Sequence, residues 1–139
     1  MSWDVLIQEL PVDLRSLDEI PDDLVPRPLG TRAELLATIR AAVPVADLSD
    51  PSWGVIDGGG YSIEINLGQG DPVAAVMLHV RGGPPAFAVV RTLVMAIGRP
   101  ALDCGTGAVI DFEAPDAAAG FEAWRAYRDR VVGPDRGSR

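Results

Sequence analysis

The strongest constraint on the fold comes from two neighbouring segments in which apolar and polar residues alternate, YSIEINL at 61–67 and VAAVMLHVR at 73–81. Successive side chains of a β-strand point to opposite faces of a sheet, so each segment predicts a strand buried on one side. The intervening GQGDP at 68–72 has two glycines and a proline, which favour a turn. Upstream, WGVID at 53–57 predicts a third strand, and the three together indicate an antiparallel meander.

The second strand of this hairpin indicates which face is buried. Val76, Leu78 and Val80 share one side and are wholly apolar, so we place that side against the core. The opposite side then carries His79 and Arg81 on the same face as polar residues of the preceding strand. The candidate binding residues on this face are Ser62, Glu64, Asn66, His79 and Arg81.

Two interpretations of that polar face remain open. A glutamate close to a histidine and an arginine can bind an anion or transfer protons, because side chains on one face of paired strands touch. The alternative is an ordinary solvated face, which is the usual condition of an antiparallel sheet. A slip of one residue in strand pairing would also change which of these side chains meet.

The rest of the chain adds helices around this meander. Thr31 and Glu34 fit a capping box at the start of a helix that Pro44 ends. Prolines 84 and 85 suit the first turn of a second helix, and Gly98 suits its end. The predicted elements are a strand over 3–10, a helix over 31–43, strands over 53–57, 61–67 and 73–81, a helix over 85–97, strand segments over 101–104 and 108–112, and a helix over 114–132.

This order, β-α-β-β-β-α-β(β)-α, predicts an α+β fold. We expect a two-layer sandwich with a mainly antiparallel sheet of about four to six strands and about three helices on one face. Trp53 is expected to anchor its strand in the core. The acidic, proline-broken segment 11–30 is expected to be a long ordered loop, which either has a function or covers one end of the sheet.

Length and composition limit the class of protein. A chain of 139 residues, 47% of them hydrophobic, suits one domain, which we place at 1–133 with a flexible tail at 134–139. The formal net charge of −8 argues against nucleic acid as a partner and is compatible with a basic protein partner. We expect neither a signal peptide nor a membrane span. Because Cys104 is the single cysteine, we expect a reducing, cytoplasmic location.

No motif in the sequence defines an activity. One histidine and one cysteine are too few for a zinc site, and neither glycine-rich turn has the third glycine of a dinucleotide fingerprint. We therefore expect no metal and no cofactor. Cys104 and His79 could form a nucleophile and base, although most single cysteines are small buried hydrophobic residues.

Several short motifs resemble those of a group of uncharacterised small bacterial proteins of similar length. They are DPSWG at 50–54, GYSIE at 60–64, HVRGG at 79–83 and ALD at 101–103. The resemblance spans most of the chain, including the opening strand and the acidic loop. It implies no activity, cofactor or catalytic residue.

Two functional hypotheses follow. The favoured one is a non-enzymatic protein-binding module, such as an accessory or immunity-like protein, which binds through the open sheet face or the acidic loop. The alternative is a small enzyme or a protein that binds an anionic ligand. In that case Arg81 would bind the anion, His79 would transfer a proton and Glu64 would orient the histidine. A homodimer that pairs through sheet faces or edges is compatible with both.

Overall fold

A computed structural model describes residues 2–11 and 16–132 of the chain. Five strands and three helices form the α+β architecture that the sequence predicts, in the predicted order. The elements are β1 (Trp3–Gln8), α1 (Arg32–Ala42), β2 (Trp53–Asp57), β3 (Tyr61–Asn66), β4 (Ala75–Gly82), α2 (Pro85–Ile97), β5 (Ala101–Asp103) and α3 (Ala119–Val132). The tail predicted at 134–139 lies outside the described residues.

All neighbouring strands of the sheet are antiparallel, in the spatial order β2-β3-β4-β1-β5. The meander β2-β3-β4 is therefore as predicted, and β1 inserts between β4 and β5. Of the two strand segments predicted within 101–112, only the first is a strand. Residues 108 and 109 contribute isolated bridges to Ser16 and Leu102.

The inner face of the sheet forms the core, in the orientation that the alternation predicts. Val76, Leu78 and Val80 are fully buried, and their partners on β1 across the ladder are Ile7, Val5 and Trp3. On the other side, Ile65 and Ile63 of β3 pair with Leu78 and Val80 and are also fully buried. Burying these aliphatic side chains is the main force that holds the two layers together.

The helices cover this inner face. Helix α1 begins with the predicted capping box, in which the Thr31 hydroxyl accepts from the Glu34 amide and the Glu34 carboxylate accepts from the Thr31 amide. Helix α2 begins with prolines and ends at Gly98, whose left-handed conformation closes it. Helix α3 contributes Phe121, which is fully buried and packs against the Trp3 and Phe87 rings.

The described part of the acidic loop covers the outer face of the sheet at its β5 end. It contains a short 3-10 helix, Leu17–Glu19. After that helix, Ile20 and Leu24 pack against a small apolar cluster on the outer side, whose buried members are Leu10 and Leu102. The sequence left two alternatives for this segment, a function or the covering of one end of the sheet, and the described part does cover that end. Residues 12–15 of this loop lie outside the described part of the chain.

Two predictions of position are wrong. Trp53 is not in the core, because the β2 alternation buries Gly54 and Ile56 and leaves Trp53 36% exposed on the outer face. Helix α3 begins at Ala119 and not at 114, since a series of turns occupies residues 115–118.

The β3-β4 hairpin gives a direct test of this packing. Gly82 has a φ of +104°, and an added Cβ would lie 2.5 Å from Tyr61 Cα and 2.6 Å from the Gly60 carbonyl oxygen. We expect Gly82→Ala to lower the free energy of unfolding by about 2–4 kcal/mol, through backbone strain and a backbone clash. Chemical denaturation measures this change.

The matched control lies in the same hairpin. An added Cβ at Gly60 meets nothing within 4 Å, and that residue does not have a positive φ. We expect Gly60→Ala to change the free energy of unfolding by no more than about 0.5 kcal/mol. Equal losses in the two variants would contradict the register described for Gly82 and Tyr61.

Candidate functional site

The helices and the acidic loop leave part of the outer sheet surface open to solvent. We call this part the open sheet face. It lies on β2, β3, β4 and the start of β1. Its side chains are Asp4, Trp53, Val55, Ser62, Glu64, Asn66, Met77, His79 and Arg81.

All five predicted binding residues lie on this face, in a defined register. Ser62 is opposite Arg81, Glu64 is opposite His79, and Asn66 is opposite Met77. The register arises because the aliphatic residues of both strands face the helices, which forces the alternate polar residues outward. On the other side of β4, Asp4 of β1 is opposite His79.

Two charge pairs organise the centre of the open sheet face. The Arg81 guanidinium donates a hydrogen bond of 2.9 Å to Glu64 Oε1. His79 Nδ1 lies 2.9 Å from Asp4 Oδ1, which also accepts from the Ser2 hydroxyl. Glu64 therefore pairs with Arg81, and Asp4 takes the orienting position beside the histidine that the sequence had suggested for Glu64.

Trp53 is the aromatic element of the open sheet face. Its ring stacks on His79 with centroids 5.6 Å apart and planes 20° from parallel. The sequence reasoning missed both Trp53 and Asp4. For Trp53 a signal was present, since the alternation of β2 puts it on the same side as Asp57. No local signal could identify Asp4, because the pairing of β1 with β4 joins segments that are far apart in the sequence.

The charge pairs determine the electrostatics of the site. The hydrogen bond from Arg81 lowers the pKa of Glu64, and partial desolvation of the carboxyl opposes this change. In contrast, partial burial raises the pKa of the Cys104 thiol, and the carboxylates of Asp4 and Asp103 add to that effect. At neutral pH the cysteine is thus the thiol and not the nucleophilic thiolate.

The proposed pairing of Cys104 with His79 is not seen. In residues 2–11 and 16–132, the Cys104 sulfur contacts Met77 Sδ at 4.0 Å, and no hydrogen bond joins the cysteine to His79. The same residues contain no group of three or more histidine, cysteine or acidic side chains able to hold a metal ion. None of the described helices is long and apolar enough to cross a membrane.

Three cavities lie near the start of α3 and at the end of α2, and these three are not lined by Glu64, His79 or Arg81. A sheet surface with an exposed aromatic ring and paired charges resembles a macromolecular contact surface more than a substrate pocket. Comparisons with protein-family models, curated proteins and solved structures find no match to this chain.

The Glu64–Arg81 pair predicts a pH dependence. Because the pKa of Glu64 is lower in the folded state, the pair stabilises the fold at a pH above the unfolded-state value of about 4.3. That contribution disappears as the pH falls through the folded-state pKa. We expect Arg81→Gln to raise the pKa of Glu64 and to cost about 0.2–1 kcal/mol at neutral pH, since both side chains are partly exposed.

Carboxyl NMR titration and denaturation at several pH values measure these two effects. Arg91→Gln is the matched control, because Arg91 pairs with Glu113 elsewhere on the surface. It should leave the pKa of Glu64 unchanged. An unchanged pKa of Glu64 in Arg81→Gln would show that Arg81 is not the source of the shift.

Proposed function

We propose that the protein is a non-enzymatic protein-binding module that uses the open sheet face to hold a protein partner. An accessory or immunity-like protein is the concrete form of this proposal. The observation that carries it is the exposed indole of Trp53, stacked on His79 and followed by the exposed Val55 on the same face. Tryptophan and arginine are the side chains most enriched among the residues that dominate binding energy in protein interfaces.

The side chains of this surface are held in place before any partner binds. Asp4 fixes His79, His79 supports the Trp53 ring, and Glu64 fixes Arg81. All of them stand on paired strands and not on loops. A surface that is already ordered loses less side-chain freedom on binding, which favours affinity.

The charge around Trp53 supports a basic partner. Three carboxylates lie along the β2 edge of the sheet, those of Asp47, Asp50 and Asp57. Hydrogen bonds from Ser49 lower the pKa of Asp47, and those from Ser52 lower the pKa of Asp50, so both stay ionised at neutral pH. With the net charge of −8, these groups would attract a basic protein and increase its association rate.

The alternative, a small enzyme or a protein that binds an anionic ligand through Glu64, His79 and Arg81, has less support. Arg81 is already paired with Glu64, and His79 with Asp4, so an anion would have to displace a carboxylate. We also propose a cytoplasmic location, because Cys104 is a free thiol, which suits a reducing compartment.

Substitution of Trp53 tests the proposal. Wild-type protein used as bait in an extract of the native host should recover a stoichiometric protein partner. With that partner purified, we expect Trp53→Ala to weaken binding at least about tenfold, since truncating a central interface tryptophan typically costs about 2 kcal/mol or more. Isothermal titration calorimetry measures the affinity, and circular dichroism checks that the variant is folded.

Met95→Ala is the matched control, because Met95 is an exposed apolar side chain on α2, away from the sheet. It should bind the partner as tightly as the wild type. Failure of the wild type to recover a stoichiometric protein, or equal affinities for Trp53→Ala and the wild type, would overturn the proposal. Sedimentation of the wild type alone identifies the case in which the partner is a second copy of this chain.

A further inference from the structure

The only histidine of the chain, His79, lies at the centre of the open sheet face. Histidine is the side chain whose charge ordinarily changes between about pH 5 and 8. Cysteine can also titrate near this range, but burial raises the pKa of the single cysteine, Cys104, and keeps it a neutral thiol. A change of side-chain charge between these pH values is therefore expected mainly at His79.

Residues of three other strands surround the imidazole of His79. On one side, Oδ1 of Asp4 in β1 lies 2.9 Å from Nδ1, and on the other side Glu64 of β3 is opposite His79 in the ladder. The Trp53 ring of β2 stacks on the imidazole, with centroids 5.6 Å apart. The His79 side chain is 23% exposed, so it can exchange protons with solvent while it contacts the tryptophan that is proposed to bind a partner.

The charged groups that face His79 leave a net negative charge at the centre of the open sheet face. Asp4 lies on β1, Glu64 on β3 and Asp57 farther along β2, while Arg81 of β4 is the cation that pairs with Glu64. The hydrogen bond from Arg81 is the largest cause that lowers the pKa of Glu64, and the charge of His79 is a smaller cause in the same direction. Glu64 therefore stays ionised in this pH range and interacts with the charge of His79.

Protonation of His79 has two effects on the surface around Trp53. It cancels one unit of the negative charge that attracts a basic partner. It also places a cation against the indole ring, and this cation repels any cationic side chain that approaches the same ring. Because both effects oppose the binding of positive charge, they add to each other. The affinity of this surface for a basic protein should therefore fall when His79 takes up a proton.

We propose that His79 is a pH switch of the open sheet face, which binds a basic protein when the imidazole is neutral and releases it when the imidazole is protonated. This inference rests on the proposed function, since it concerns the same surface and a partner of the same charge. The switch is electrostatic and needs no movement of the strands, because Nδ1–H can donate to Asp4 in both charge states of the ring.

The free protein tests whether the charge of His79 reaches Trp53. The full chain is labelled with ¹⁵N, and the indole N–H resonance of Trp53 is followed by NMR between about pH 5 and 8. We expect this resonance to shift together with the ring resonances of His79. In His79→Gln the shift should be lost, because the glutamine amide can still donate to Asp4 but cannot take up a proton. No shift in the wild type, or an equal shift in His79→Gln, would overturn the proposal.

A hexa-arginine peptide with blocked ends is the basic probe for binding, because arginine keeps its charge throughout this pH range. The same Trp53 resonance gives the dissociation constant at each pH. We expect the wild type to bind the peptide at least about threefold more weakly at about pH 5 than at about pH 8. The affinity of His79→Gln should not change with pH, and His79→Lys, which is charged at both pH values, should bind weakly at both. Equal pH dependence in the wild type and His79→Gln would contradict the switch.

The partner recovered from the native host separates failure of the switch from failure of the proposed function. If Trp53→Ala weakens binding of that partner but the wild type binds hexa-arginine equally at both pH values, the switch is wrong and the protein-binding function stands. If Trp53→Ala and the wild type bind the partner equally, the proposed function is wrong and the switch falls with it. Weaker binding at the lower pH that is lost in His79→Gln is the result that supports the switch.

Discussion

The central strand β4 constrains the rest of the structure, because one of its faces must be buried and the other must face solvent. Its aliphatic residues Val76, Leu78 and Val80 are fully buried, while His79 and Arg81 alternate with them on the outer side. Since β4 pairs with both β3 and β1, its orientation fixes the register of three strands. A slip of one residue would bury the His79 imidazole and the Arg81 guanidinium under the helices. The free energy needed to bury these groups is far larger than the hairpin could offset.

The outer side of the sheet is divided in two as a consequence. At the β5 end, Leu6 and Leu102 are apolar on this side, and the acidic loop covers them with Ile20 and Leu24. The β2-β3-β4 end is mainly polar, with Trp53 and Val55 as exposed apolar side chains, and the described part of the loop does not cover it. The loop therefore packs where the outer residues of the strands are apolar. The part of the outer surface that it leaves uncovered is the open sheet face.

Local patterns were enough to predict most of the fold and the membership of the polar face. The alternation in β3 and β4, the capping box at Thr31 and the glycine at 98 all act over a few residues. The Asp4–His79 contact joins residues 75 positions apart and depends on β1 lying beside β4, which no local pattern contains. Trp53 was predicted on the wrong side of its strand, although the alternation of that strand places it on the outer face with Val55 and Asp57.

Strand β1 contributes to both sides of the sheet at consecutive residues, since Trp3 is buried against the Phe87 and Phe121 rings and the side chain of Asp4 holds His79 on the open sheet face. This proximity does not by itself imply communication, because coupling needs an element with two stable arrangements. Strand β1 is paired on both edges, and the Asp4 carbonyl accepts from the Cys104 amide at 3.0 Å, which ties it to the turn after β5. A strand held in this way has no alternative register without burying charge. Strand β1 therefore holds Asp4, and through it His79, at a fixed place on the open sheet face.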